Sequence, residues 1–313
     1  MPLDPHLDGV LQMMAGSGAK PIQEGSPAEG RDGYLALTFG SRTPEQVVPV
    51  ASVQDTTVDG AAGPLKARAY RPEGDGPFPT VAFFHGGGYV IGDLDTHDNM
   101  CRDICRGARA VVVAVDYRLA PEHPFPAGID DAVAAAKWVV AHAPELGGDG
   151  AVAVAGDSAG GNFAAVVAQR FRDAGIPLAA QFLIYPAVDH VAAVYPSIEQ
   201  NAKGYFLEMD TMAWFYNHYA GGFSDTMDPR LAPLQARSLA NLPPAVVVTA
   251  EFDPLRDQGA AYAEALRAAG GKAEHIPGPG MIHGYFDMGR WSPAAQAIIE
   301  HSTSRFGEVL RGD

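Results

Sequence analysis

A serine, an aspartate and a histidine stand in that order along the chain, each just behind a run of small apolar residues. Ser158 sits in Gly156-Asp157-Ser158-Ala159-Gly160, after "AVAVAG" and before a helical pattern that starts at Ala159. A serine on a sharp strand-to-helix turn has its Oγ exposed, and flanking glycines permit the strained backbone. A hydroxyl is a weak nucleophile and needs a base. His283, in "GMIHGYFD", follows the last expected strand. An imidazole in turn needs an acid that fixes its tautomer and stabilises its cation. Asp253, in "TAEFDPLRDQG", directly follows the strand "AVVVTA". Its neighbours Glu251 and Asp257 are expected to support the loop and to cap or pair at a helix start. Together the three residues point to nucleophilic acyl transfer.

Acyl transfer builds negative charge on a carbonyl oxygen, so donors must converge there. "FFHGGGYVIGD", residues 83–93, follows a buried strand and presents three glycines in a row. The expected donors are the backbone N–H groups of Gly87, Gly88 and Ala159. His85 is expected to shape the loop and not to act as a base, and Asp157 to give local support. A phosphate-cradling loop would need a Gly-Lys-Ser/Thr ending or Gly-x-Gly-x-x-Gly, and neither is present.

The elements that must position these residues read as alternating strands and helices. Strands are expected at 80–85, 110–117, 151–156, 179–185, 245–250 and 273–277. Helices are expected near 97–107, 127–142, 159–174, 256–269 and 293–309. Most strand runs are continuously apolar, as parallel strands covered on both faces are. An α/β class with a doubly wound sheet follows. A hairpin is expected from 47–60 and 65–72, and a helix from "PHLDGVLQMMAG" near the start. One stretch, 188–228, interrupts the alternation. It is rich in Met, Tyr, Phe and Trp and reads as helices placed to cover a site. The expected division is 1–45 as the first part of a helical cap, 46–187 and 229–313 as the catalytic domain, and 188–228 as the cap insertion. Phe206, Met209, Met212, Trp214 and Phe215 would line a pocket or pack, with Tyr89 beside the glycines.

Composition narrows the partners. The chain has 313 residues and a formal net charge of −15, which speaks against nucleic acid and against anionic membrane surfaces. No apolar run of about 18 residues is present, so no membrane span is expected. Cys101 and Cys105 are the two cysteines. No histidine stands beside them at ligand spacing, so they are expected to be buried small side chains and not metal ligands. Two thiols without a disulfide pattern, and a start without a signal-peptide pattern, fit the cytoplasm.

With these segments placed, the chain resembles the hormone-sensitive lipase family of α/β-hydrolases, in its bacterial esterase branch. The matching motifs are "HGGGYVIGD", "VDYRLAPEHPFPAGIDD", "GDSAGGN", "DPLRDQG" and "IHGY", in register over residues 80–286. Tyr89 stands where an aromatic is usual, and Tyr285 where Phe is commoner. The resemblance implies a mostly parallel eight-stranded sheet, a Ser158–Asp253–His283 triad, an oxyanion hole of Gly87, Gly88 and Ala159, and a cap from the N-terminal region and the insertion. It implies a small-molecule ester of short acyl chain as substrate, no metal or organic cofactor, and a homodimer through the last strand near 273–277. An amidase on the same triad, or a non-catalytic binding homologue, would share the fold. The prolines of "YRLAPEHPFPA" stiffen a loop, and Asp116, Arg118 and Glu122 are expected to form an ion-pair network beside the serine turn.

Overall fold

The computed structural model describes residues 1–190 and 192–313; Val191, inside the expected insertion, lies outside the described residues. Two N-terminal helices, α1 (Pro5–Gly16) and α2 (Pro27–Leu35), precede the hairpin β1 (Ser52–Gly60) and β2 (Gly63–Arg71). Then follow β3 (Phe78–Phe84), α3 (Asp98–Ala108), β4 (Val111–Val115), α4 (Ala127–His142), β5 (Gly148–Asp157), α5 (Ala159–Asp173) and β6 (Ala180–Ile184). The chain ends with α6 (Pro196–Gln200), α7 (Met209–Ala220), β7 (Ala245–Phe252), α8 (Arg256–Ala268), β8 (Ala273–Ile282) and α9 (Pro293–Arg311).

The eight strands form one sheet in the order β1-β2-β4-β3-β5-β6-β7-β8. β2 runs antiparallel to both neighbours, and every pair from β4 to β8 is parallel. Because successive side chains alternate faces, each central strand feeds two cores. Ala82, Phe84, Val113, Val154 and Val247 meet α4, α5 and α8 residues such as Ile129, Phe163 and Tyr262 on one face. Val81, Phe83, Val112, Ala155 and Val246 meet Met100 and Ile104 of α3 and Ile299 and Phe306 of α9 on the other. This two-sided burial explains the continuous apolar runs and makes the sheet doubly wound, an α/β-hydrolase architecture.

The N-terminal helices dock by side-chain capping and by contact with the sheet's carboxyl edge. Asp4 accepts from the N–H groups of His6 and Leu7, and its own N–H donates to Gly280 O at 2.9 Å. Ser26 and Glu29 close a reciprocal capping box on α2. The 188–228 stretch is less helical than its composition suggested: among its described residues it holds only α6 and α7, with turns and bends between them. Its glycines, prolines and short polar residues break the pattern (Tyr195-Pro196 and Gly221-Gly222 among them). Among the described residues no helix is long and apolar enough to cross a membrane.

The tightest packing in the sheet lies behind Ser158. A Cβ at Gly160 would sit 1.9 Å from Phe84 O and 2.6 Å from His85 O. Both obstacles are backbone, so they cannot swing aside. Gly160→Ala is therefore expected to destabilise the fold by at least about 2 kcal/mol through overpacking. Gly9→Ala in α1, where nothing lies within 4 Å of the added Cβ, should be neutral or raise stability by up to about 1 kcal/mol. Urea unfolding of both variants checks this, and equal midpoints for the two would contradict it.

Candidate active site

Four segments meet at the carboxyl edge of the sheet, each beginning one residue past a strand. β3 ends at Phe84 and gives His85 and the glycine loop; β5 ends at Asp157 and gives Ser158; β7 ends at Phe252 and gives Asp253; β8 ends at Ile282 and gives His283. In open α/β sheets, this edge is where ligands bind. Ser158 occupies φ 53°, ψ −116°, a region that a non-glycine residue enters only under constraint. Its N–H donates to Ile184 O at 2.8 Å, which anchors the turn to β6. The Ala159 N–H then opens α5.

Ser158, His283 and Asp253 are brought together. His283 Nε2 lies 2.9 Å from Ser158 Oγ, and Nδ1 lies 2.7 Å from Asp253 Oδ2. A carboxylate only accepts, so Nδ1 carries the proton and Nε2 is free to accept from the serine hydroxyl. Asp253 is fully buried, and its Oδ1 accepts from Leu255 N–H at 2.8 Å. Both its oxygens are therefore engaged and the acid is fixed in one orientation. The two nearby acids do other work. Glu251 accepts from Gly280 N–H at 2.7 Å and pairs with the N-terminus, bracing the β7 and β8 ends. Asp257 accepts from Ser197 N–H and pairs with Arg256.

Gly87 and Gly88 have φ of 107° and 58°, a backbone that glycine adopts without strain. A Cβ at Gly87 would meet Ile91 O at 2.2 Å, and one at Gly88 would lie 2.2 Å from the Phe215 ring. Among the described residues, the N–H groups of Gly87, Gly88 and Ala159 donate to no protein acceptor. Three open donors and the positive end of α5 thus lie around a partly exposed serine hydroxyl. The arrangement can deprotonate a hydroxyl, place it beside a carbonyl carbon and stabilise the resulting oxyanion.

The expected pocket residues divide. Phe206 packs 3.1 Å from the Cβ position of Gly284, next to His283. Phe215 covers Gly88. Trp214 stands edge-on to Phe215, and Met209 opens α7, partly exposed. Tyr89 stacks on Tyr219 with ring centroids 3.9 Å apart and tilts against Phe163, so it packs α7 onto the core.

Sequence reasoning undervalued Asp157. Its Oδ1 accepts from Gly86 N–H at 2.7 Å, 71 positions away, and faces His97 Nε2 at 3.4 Å. His97 stands at the start of α3 in no motif, so its place beneath the glycine loop had no signal in sequence. Two buried histidines 5.3 Å apart take opposite states. Burial pushes His85 down to about 4, with the charge of His97 adding to it; its Nδ1 donates to Gly86 O at 2.7 Å. Burial also opposes charge on His97, but the Asp157 carboxylate outweighs it and holds His97 up at about 9. Asp287, which accepts from Tyr34 OH at 3.2 Å, is raised by burial to about 7. The expected Asp116–Arg118–Glu122 network does not form. Arg118 pairs with the fully buried Asp131, Glu122 pairs with Arg31, and Asp116 is left half-buried. Charges one turn apart in a proline-stiffened loop point to different neighbours. Cys101 and Cys105 are free and buried. Among the described residues no three His, Cys, Asp or Glu side chains are grouped to hold a metal.

A family model described as "alpha/beta hydrolase fold" matches residues 81–287. The chain is similar to carboxylesterase NlhH of Mycobacterium tuberculosis, 45% identical over 93% of this chain and 92% of that one. It is similar to an ethyl acetate hydrolase of Pseudomonas putida, 38% identical over 92% and 93%. Among solved structures, an ester hydrolase from the metagenome of Lake Arreo superposes with a TM-score of 0.92 at 40% identity, covering 97% of this chain and 98% of that one.

The buried His97 cation makes a signed prediction. Its folded value near 9 exceeds the unfolded value of about 6.5. Its stabilising contribution is therefore complete below about pH 6.5 and lost as pH rises through about 9. The stability gap between the wild type and His97→Gln should be large at pH 6 and small at pH 10 in urea unfolding. The carboxylates facing His97 are Asp157, Asp287 and Asp93. A gap independent of pH would rule out a charged His97.

Proposed function

The chain belongs to the alpha/beta hydrolase fold family, of the hormone-sensitive lipase type, and is a carboxylic ester hydrolase; from that premise we propose that it hydrolyses short-chain acyl esters by serine catalysis through an acyl-enzyme. The observation that carries this reading is the unbroken hydrogen-bonded line Ser158–His283–Asp253. In the first half-reaction, His283 Nε2 takes the Ser158 proton as Oγ attacks the ester carbonyl. Asp253 stabilises the imidazolium through Nδ1. The N–H groups of Gly87, Gly88 and Ala159 receive the oxyanion, and His283 returns its proton to the leaving alcohol. Water enters, gives a proton to His283 and attacks the acyl carbon; the tetrahedral intermediate then collapses, the bond to Oγ breaks as His283 returns that proton to Ser158, and the acid is released. An N–H donor set of this kind is worth several kcal/mol in the transition state.

We propose that the N-terminal helices and the 188–228 insertion act as one cap. Thr211 of α7 donates to Gln23 Oε1 at 2.9 Å, joining the two parts. Phe206 and Phe215 would form the inner walls of the acyl and alcohol channels, with Trp214 and Met209 behind and Tyr89 as support. Two aromatic rings so near the nucleophile favour a small acyl group, and the relative from Pseudomonas putida is named for ethyl acetate. The expected homodimer would pair through β8, one of the two edge strands of the sheet.

Ser158→Ala should lower kcat/KM for p-nitrophenyl acetate by at least about 10⁴-fold with the unfolding transition unchanged. In the wild type, kcat/KM is expected to peak at acetyl to butyryl esters and to fall at octanoyl and beyond. Phe206→Ala should flatten that series. Substantial turnover by Ser158→Ala would refute the serine mechanism, and a rate that climbs with chain length would refute the short-chain reading alone.

A further inference from the structure

The glycine loop that carries two of the three proposed oxyanion donors is held at both ends, from different parts of the chain. At its start, Gly86 N–H donates to Asp157 and Tyr117 OH donates to His85 O at 2.6 Å. Within the loop, Val90 and Ile91 N–H both donate to Gly87 O at 3.0 Å, so the pose of Val90 and the pose of Gly87 are one rigid unit. At its far end, the Val90 carbonyl accepts from Arg31 Nε at 2.9 Å. Arg31 belongs to α2, nearly sixty positions upstream.

Arg31 is engaged on every nitrogen of its guanidinium. Nη2 donates to Ala120 O at 2.9 Å and to Glu122 Oε2 at 2.6 Å, and Nη1 donates to Glu122 Oε1 at 2.8 Å. Ala120 N–H in turn donates to Tyr89 O at 3.0 Å. One planar cation therefore joins the glycine loop, the proline-rich loop and its own helix. The fork geometry that allows this is particular to arginine. The neighbouring Gly30 faces Ile91 as well: a Cβ there would reach van der Waals contact with Ile91 Cγ2 at 3.4 Å. The Arg31–Glu122 pair is itself partly solvent-exposed, so it adds little to global stability. Its geometric effect is on the loop.

We propose that Arg31 is a positioning residue for ester hydrolysis, fixing the Val90 carbonyl and through it the pose of the Gly87 and Gly88 donors. The inference rests on the proposed oxyanion role of those glycines. It makes the N-terminal helices part of what sets the turnover rate, beyond covering the substrate. A loosened loop stabilises the oxyanion less while leaving ground-state ester binding nearly unchanged, so the loss falls on kcat.

The test compares wild type, Arg31→Ala and Arg31→Lys on p-nitrophenyl acetate and p-nitrophenyl octanoate, with Ki for a trifluoromethyl ketone analogue and a thermal melt. Arg31→Ala is expected to lose about ten- to a hundredfold in kcat, short of the 10²–10³ seen when an oxyanion donor is removed outright. KM should change less than about threefold, on both esters alike. Ki should weaken in parallel with kcat, and the melt should stay near that of wild type. Arg31→Lys keeps the charge but reaches fewer acceptors, and should fall between the two. Unchanged kcat and Ki in Arg31→Ala would overturn the inference. So would a KM rise that grows with acyl length at constant kcat, since Arg31 would then be only a pocket wall. So would a collapse of the melt in both variants with kcat per folded enzyme unchanged. Failure of the underlying oxyanion reading would show separately, as weak ketone binding by the wild type itself.

Discussion

How closely α5 can approach β3 decides everything at the carboxyl edge of the sheet. The chain leaves β5, turns through Ser158 at φ 53°, and must start a helix at once. That turn closes only because Gly156 and Gly160 carry no side chain: a Cβ at Gly156 would fall 2.3 Å from Gly160 O, and one at Gly160 would run into Phe84 O. The strain at Ser158 costs on the order of 1–3 kcal/mol. The bond from Ser158 N–H to Ile184 O and the wholly buried face of α5, with Phe163, Val167 and Phe171, offset it. The same closeness brings the Ala159 N–H beside the glycine loop after β3. The partly exposed hydroxyl and the open donor are two results of one backbone constraint.

That constraint creates an electrostatic problem. Asp157, next to the nucleophile, is buried close to where an oxyanion would develop, and a bare carboxylate there would oppose it. The structure gives the carboxylate a donor in Gly86 N–H and a cation in His97. Its charge is thus compensated at Oδ1 by both. The contrast of His85 and His97 follows. His85 bonds the Gly86 carbonyl and stacks on the Tyr117 ring, and burial, helped by the neighbouring charge of His97, keeps it neutral. His97 faces carboxylates, so it is held charged. Two histidines in van der Waals reach of one another can differ this much because the nearest formal charge differs.

The fold was legible because its signals are local. Runs such as Val111–Val115 and Ala245–Val248 are continuously apolar, and helix starts at Ala127, Ala159, Arg256 and Pro293 fall where periodicity begins. The proposed catalytic residues were legible for a related reason: Ser158 and Asp253 lie two and three residues past the expected strand ends at 156 and 250, while His283 lies six past 277 because β8 runs on to Ile282. What stayed hidden is pairing across the chain. Arg118 has the acids Asp116 and Glu122 within four positions, and only the fold selects Asp131 for it. Arg31 lies in a segment without a motif and finds its partners 59 to 91 positions away. The aromatic insertion was overread as helix because composition reports burial better than it reports backbone. Its rings are indeed packed, yet much of the segment is turn.

These long-range pairs matter because the strand-edge residues cannot hold themselves. Asp253 and His283 are single residues past β7 and β8, and besides their own hydrogen bond the two strand ends are tied by Glu251, which accepts from Gly280 N–H while pairing with the chain's amino terminus. The glycine loop past β3 is tied to Asp157 at one end and to Arg31 at the other. In each case the sheet supplies the starting point, and a side chain from elsewhere supplies the second fixed point. A loop held at one end can rotate about it; held at two, its N–H groups keep one direction. That is the condition under which hydrogen-bond donors are preorganised for a charge that does not yet exist.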